Sequence, residues 1–155
     1  MPTAKELALR ALERTTGCLR ESFAAFPADH WRDAPQGRAN SLLGVLGHLC
    51  GVEQWWRQNL GYEDRSDWRT AEGQARASAS LPEVLAQFNA ARDGLLGWLA
   101  GRPDSLFESP VPTCEYGNLR TGAELCLYMG EHDFYHAGQI QMLEMAFSEA
   151  EGGPE

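Results

Sequence analysis

The stretch TGAELCLYMGEHDFYHAGQIQMLEMAF, Thr121 to Phe147, decides the fold. It opens with a capping box, in which Thr121 accepts from the backbone N–H of Glu124 while the Glu124 carboxylate reaches back to the N–H of Thr121. Leu125, Met129, His132, His136, Gln139, Ile140 and Leu143 then recur at three and four residues, which places them on one side of a helix. His132 and His136 stand at i and i+4, about 40° apart in projection and one turn apart in height, so both imidazoles can reach one point. Two histidines so spaced on an apolar stripe suggest a metal, and the remaining chain is read for a third ligand.

Three further helices precede this one. Residues 3 to 26 carry Ala4, Ala8, Ala11, Leu12, Thr15, Leu19, Ser22 and Phe26 at helical spacing, and Pro27 stops them. The loop PADHWRDAPQGRAN follows, with His30 as an exposed or partly packed side chain beside Trp31. Asn40 or Ser41 caps a second helix to about Leu60, with Gly61 as its stop. Its apolar arc is Leu42, Val45, Leu49, Val52, Trp56 and Leu60; His48 projects at the edge of that arc, in line with Val52, Trp55 and Asn59. Gly44, Gly47 and Gly51 empty one flank at a cost of up to about 1 kcal/mol each relative to Ala. Either a neighbour packs very close there, or the flank leaves room for a ligand beside His48.

The polar stretch from Tyr62 to Ser80 reads as a long connection, pinned to the bundle by Trp68. Ser80, Pro82 and Glu83 announce a third helix that ends at Gly101. Arg92 interrupts its buried stripe of Leu81, Leu85, Phe88, Leu96 and Leu99. It is either paired with an acid such as Glu13 or Glu53, or an anion-binding group at a pocket. Residues 102 to 120 form an irregular arm with a short extended stretch at Phe107 to Val111. The whole is expected to be an all-α four-helix bundle with long crossover connections, one domain over residues 1–148, followed by an acidic flexible tail at 149–155.

The net charge of −9 and a pI near 4.9 argue against a nucleic-acid partner, which needs a clustered basic face. No apolar run reaches the roughly 18 residues that suggest a membrane span. The opening MPTAKELALRALERTTG is charged and lacks an apolar signal core, so a cytoplasmic location is expected. Cys18, Cys50, Cys114 and Cys126 form no CxxC pair and read as buried small residues, with Cys114 the one candidate for a reactive thiol.

His48, His132 and His136 therefore form the candidate metal set. Three neutral imidazoles with an open position suit a catalytic ion, with zinc, nickel, iron or copper all compatible. Glu131 and Asp133 project about 100° to either side of His132 and suit outer support better than ligation. Trp55, Asn59, Tyr128 and Tyr135 project toward the histidine side and are candidates to line a substrate space, with Arg92 for a carboxylate. On the far side of the last helix, Leu127, Gly130, Phe134, Ala137, Gly138, Gln141 and Met145 form a small or apolar strip, the expected interface of a homodimer.

GHLCGVEQWW in the second helix with EHDFYHAGQIQ in the last resembles the DinB superfamily of metal-binding bundles, including its YfiT-like metal-dependent hydrolases. The resemblance covers nearly the whole chain. It implies a three-histidine divalent site that maps onto His48, His132 and His136 one by one, and a small-molecule substrate. Some relatives are transferases or isomerases using low-molecular-weight thiols such as mycothiol or bacillithiol. The H-x-x-x-H-x-E pattern of the ergothioneine-type enzymes is absent, because Gly138 stands where their Glu would be. The expected function is activation of a thiol or water by a divalent metal (Zn, Ni or Fe) for transfer to, or hydrolysis of, a small electrophile. The alternatives are a non-catalytic metal-binding stress-response module and a structural dimer.

Overall fold

Capping side chains set where the long helices begin in a computed structural model that describes residues 1–35, 40–62, 67–112 and 119–151. Helix α1 (Ala4–Ala25) starts from a Thr3–Glu6 capping box, and α2 (Leu42–Asn59) from Ser41, whose hydroxyl accepts from Gly44 N–H at 3.1 Å. Helix α3 (Trp68–Arg76) is capped by Asp67. Helix α4 (Leu81–Ala100) is capped by Ser80, and a short α5 (Asp104–Glu108) follows. Strands β1 (Pro110–Pro112) and β2 (Leu119–Thr121) pair antiparallel with Val111 opposite Arg120. Helix α6 (Gly122–Glu151) closes the order. Its expected capping box is present: Glu124 N–H donates to Thr121 Oγ1 at 3.2 Å, and Thr121 N–H to Glu124 Oε2 at 2.8 Å.

Helix α2 ends where its glycine predicts. Gly61 has φ +79°, and the bonds Tyr62 N–H to Arg57 O (2.8 Å) and Gly61 N–H to Gln58 O (3.2 Å) complete a Schellman motif. The stretch from 62 to 80 departs from expectation, because it contains α3 and not a bare connection. The arm likewise coils as α5 through Phe107 and becomes extended only at Pro110. Helix α6 continues past the expected end at Phe147, to Glu151. Cys114 lies outside the described residues, as do residues 152–155 of the tail. His30 lies in a short 3-10 turn, its ring stacked on Phe147 with centroids 4.5 Å apart.

Two apolar clusters fill the bundle, one at each end. Leu19, Phe23, Leu46, Leu49, Phe88, Ile140 and Leu143 form one; Leu12, Trp56, Leu95, Leu99, Leu125 and Met129 form the other. The order in which each helix visits them fixes its direction: α1 and α6 run one way, α2 and α4 the other. The long helices thus run up, down, down and up, and the crossover between the parallel pair α2 and α4 is the segment that carries α3. This is the all-α bundle with a long crossover that the pattern predicts.

Between the two clusters every long helix contributes a polar residue. Thr15 and Thr16 from α1, Glu53 from α2, Arg92 from α4 and Asp133 from α6 are all buried at the same level. Arg92 is 1 % exposed and spends all five of its N–H groups there. Its Nε donates to Glu53 Oε1 at 2.9 Å, Nη1 to Thr16 Oγ1 (2.7 Å) and Asp133 Oδ2 (2.6 Å), and Nη2 to Asp133 Oδ1 (2.9 Å) and Glu53 Oε1. Of the two readings of Arg92, pairing with an acid is the one found. No N–H remains to hold a substrate carboxylate. Burial raises the Glu53 carboxyl, against the pull of Arg92.

Candidate metal centre

The polar level also carries the histidines. His48 comes from α2, one turn before Glu53, and His132 and His136 flank Asp133 on α6. Asp133 faces inward to Arg92 and Thr15, which turns the neighbouring His132 and His136 toward α2. Their Nε2 atoms converge: His48 to His132 is 3.3 Å, and His136 to His132 is 3.2 Å. One nitrogen from each ring lies within 4.8 Å of the others.

Hydrogen bonding among the rings cannot satisfy this arrangement. Each Nε2 is either one donor or one acceptor, and the His132 Nε2 faces two others. On His136 the Nδ1 donates to Gln139 Oε1 at 2.9 Å, so its hydrogen is on Nδ1 and its Nε2 presents a lone pair. Burial lowers the pKa of all three rings. That of His132 falls to about 3, pushed further by His136, His48 and Arg92. On His48 the nearby Glu72 opposes the effect of burial. Neutral rings with converging lone pairs repel one another unless a cation sits between them. The 3.2–3.3 Å separations match the roughly 3.3 Å expected between tetrahedral nitrogens with bonds of about 2.0–2.1 Å. The residues fit a divalent ion.

A cleft of about 370 Å³ opens beside His48 and His132, between α2, α3 and α6. Of the candidates named from sequence, Trp55 and Tyr128 line it. Asn59 is buried instead, its amide donating to Trp55 O at 2.8 Å. Tyr135 is 67 % exposed outside the cleft, its ring edge-on to His136. Arg92 is enclosed in the core, as described. Glu131 is exposed on α6, and Asp133 faces the core, where it pairs with Arg92.

Trp68 and Glu72 line the cleft from α3, and sequence reasoning did not place them there. Two signals pointed to them: an Asp67 cap ahead of a short helical run, and the glycine stripe on α2. A Cβ on Gly47 would lie 2.6 Å from Arg76 Cγ, and one on Gly51 would lie 3.1 Å from Trp68 O and 3.2 Å from Glu72 Cβ. The stripe exists because α3 packs against it. Close packing is found at those glycines and carries Glu72 to the side of His48, and Gly51 also lines the cleft.

The strip expected to form a dimer interface is narrower than its pattern. Gly130 is buried with its Cβ position 3.2 Å from Thr15 Cγ2, and Ala137 is buried in the core. Leu127, Phe134, Gly138, Gln141 and Met145 remain exposed, joined by Met142.

The chain belongs to the DinB superfamily, whose family model matches residues 11–140. That span contains α2, α3, α4 and all three histidines. No curated protein matches the chain. No helix among the described residues is long and apolar enough to cross a membrane.

Proposed function

We propose that this protein is a divalent-metal-dependent enzyme that activates a thiol or a water for attack on a small electrophile. The observation that carries this reading is the convergence of three imidazoles beside an open cleft, with His132 Nε2 at 3.3 Å from that of His48 and 3.2 Å from that of His136. A closed structural site uses four protein ligands, whereas three imidazoles leave a position for a reactant. His48, His132 and His136 would hold the ion, with zinc, nickel or iron the candidates. Such an ion lowers the pKa of a thiol or water placed against it. Gln139 keeps the His136 lone pair pointed inward, and Trp55 and Tyr128 hold the reactant and limit water. A low-molecular-weight thiol is the proposed co-reactant.

The first test is elemental analysis of natively purified protein beside His48→Ala and His136→Ala. Stoichiometric metal lost in both variants supports the site; a wild type that cannot be loaded removes it. Consumption of a thiol–electrophile pair by loaded protein then separates an enzyme from a metal-binding stress-response module. The proposed location is the cytoplasm, supported by the described cysteines Cys18, Cys50 and Cys126 being free thiols.

A second reading concerns assembly. The exposed residues Leu127, Phe134, Met142 and Met145 on one face of α6 support a homodimer through that helix. Light scattering at micromolar concentration tests it; a monomer counts against it, as does a dimer unaffected by Phe134→Lys.

A further inference from the structure

The cleft beside the histidines has an unusual wall. Trp55, Trp68 and Tyr128 line it with half-buried rings, Arg69 lying over the Trp68 ring at 4.5 Å from its centroid, and among the described residues Glu72 is the one lining side chain with a formal charge. Glu72 is held from behind: Arg76 Nε donates to its Oε1 at 2.8 Å and Nη2 lies 2.7 Å from the same oxygen. Among the described residues Oε2 takes no hydrogen bond. Arg76 packs its stem over Gly47 and is not part of the wall. Arg92, the anion-binding candidate named from sequence, is spent inside the core. Among the described residues, the cleft therefore offers a ligand aromatic surface and a carboxylate oxygen, with no basic side chain lining it.

We propose that this wall is a subsite for an organic cation, a substituted or quaternary ammonium group carried by the small molecule that enters the cleft. Aromatic side chains attract such a group through their quadrupoles, and a fixed carboxylate at its edge adds direct charge attraction. The chain's net charge of −9 favours the approach of cations over anions. An anionic ligand would meet the outward Oε2 of Glu72, while Arg76 holds Oε1 from behind. The inference rests on the proposed reading of the cleft as the substrate site, and it narrows that substrate from any small electrophile or thiol to one with a cationic head.

Three isosteres that differ in charge test this: choline, the neutral 3,3-dimethylbutan-1-ol and the anionic 3,3-dimethylbutanoate. Each is titrated into metal-free and zinc-loaded protein, following the fluorescence of the lining tryptophans. Choline is expected to bind about tenfold more tightly than the neutral isostere, and the anion more weakly than either. Glu72→Gln should remove most of choline's advantage while leaving the alcohol's affinity unchanged. Equal binding of choline and the alcohol, or preference for the anion, overturns the proposal on wild-type protein alone, whatever the variant's folding. Zinc content is measured separately. Loss of choline selectivity with zinc retained defeats this inference only, and selectivity without zinc defeats the metal reading only.

Discussion

Gln139 lies one helical turn beyond His136 and accepts the hydrogen of its Nδ1 at 2.9 Å, so the sequence spacing H-x-x-Q decides which ring nitrogen faces His132. A histidine free to exchange tautomers would present a lone pair to the cluster only part of the time. The amide removes that freedom from within the same helix.

Gln139→Leu should therefore weaken metal binding by about 10- to 100-fold, the usual effect of losing an outer hydrogen-bond partner of a ligand. Folding should be little affected, since Gln139 is only partly buried. Competition against a chelator of known affinity gives the first quantity and thermal unfolding the second. An unchanged affinity removes the orienting role.

Arg92→Met leaves Glu53 and Asp133 facing each other in the core without the guanidinium that bridges them. Removing one partner of a buried ion pair costs about 3–5 kcal/mol. Urea unfolding should show a loss of that size. Adding Glu53→Gln and Asp133→Asn to the same chain should recover a substantial part of it. A single variant as stable as wild type would mean that the cluster contributes nothing net to the fold.

Gly51→Val tests what the glycine stripe does. A branched side chain there presses on Trp68 O and Glu72 Cβ, which a Cβ alone already approaches to 3.1 and 3.2 Å. Overpacking of this kind costs roughly 1–3 kcal/mol. The expected sign is a destabilised protein with a red-shifted tryptophan emission, as Trp68 is displaced from α2. An unshifted spectrum would show that α3 accommodates the change.

The histidines give the metal-free protein an acid limit. Their pKa values are lower folded than unfolded, so the unfolded chain binds more protons as pH falls. Stability is therefore fully present above the ordinary histidine value of 6.5 and is lost as pH drops below it, for His132 continuing toward about 3. Urea midpoints measured from pH 7.5 to pH 4 should fall steadily. In the triple variant His48→Ala, His132→Ala, His136→Ala the decline over that range should be shallower. Zinc, which needs neutral rings, should shift the wild-type midpoint upward only at the higher end of the range.

The helical spacing of apolar residues, the caps and the His132–His136 pair were legible in the chain because each depends on residues within a turn or two of one another. The third member of the histidine cluster was legible as well, since His48 is one of only four histidines and sits beside an apolar arc. Arg92 was visible as an anomaly in a buried stripe, and Glu53 was named as a possible partner. Asp133 was not paired with it, because pairing across helices depends on the bundle's directions, which no local pattern specifies. Helix α3 was missed because its nine residues bury little beyond Ala75, and periodicity needs a buried face to register. Its presence was written on α2 instead, in three glycines whose purpose only a partner could reveal.

The polar level that crosses the bundle has a thermodynamic consequence. It separates Leu19, Phe88 and Ile140 from Leu12, Leu99 and Leu125, so apolar packing is continuous within each end but is interrupted between them. Between the two compartments the buried side chains meet at Arg92 and its acids. Truncations such as Leu19→Ala and Leu99→Ala share no packing partner and should have additive effects on stability. The chain can therefore vary the packing of either end, one at a time, while the histidines keep their register.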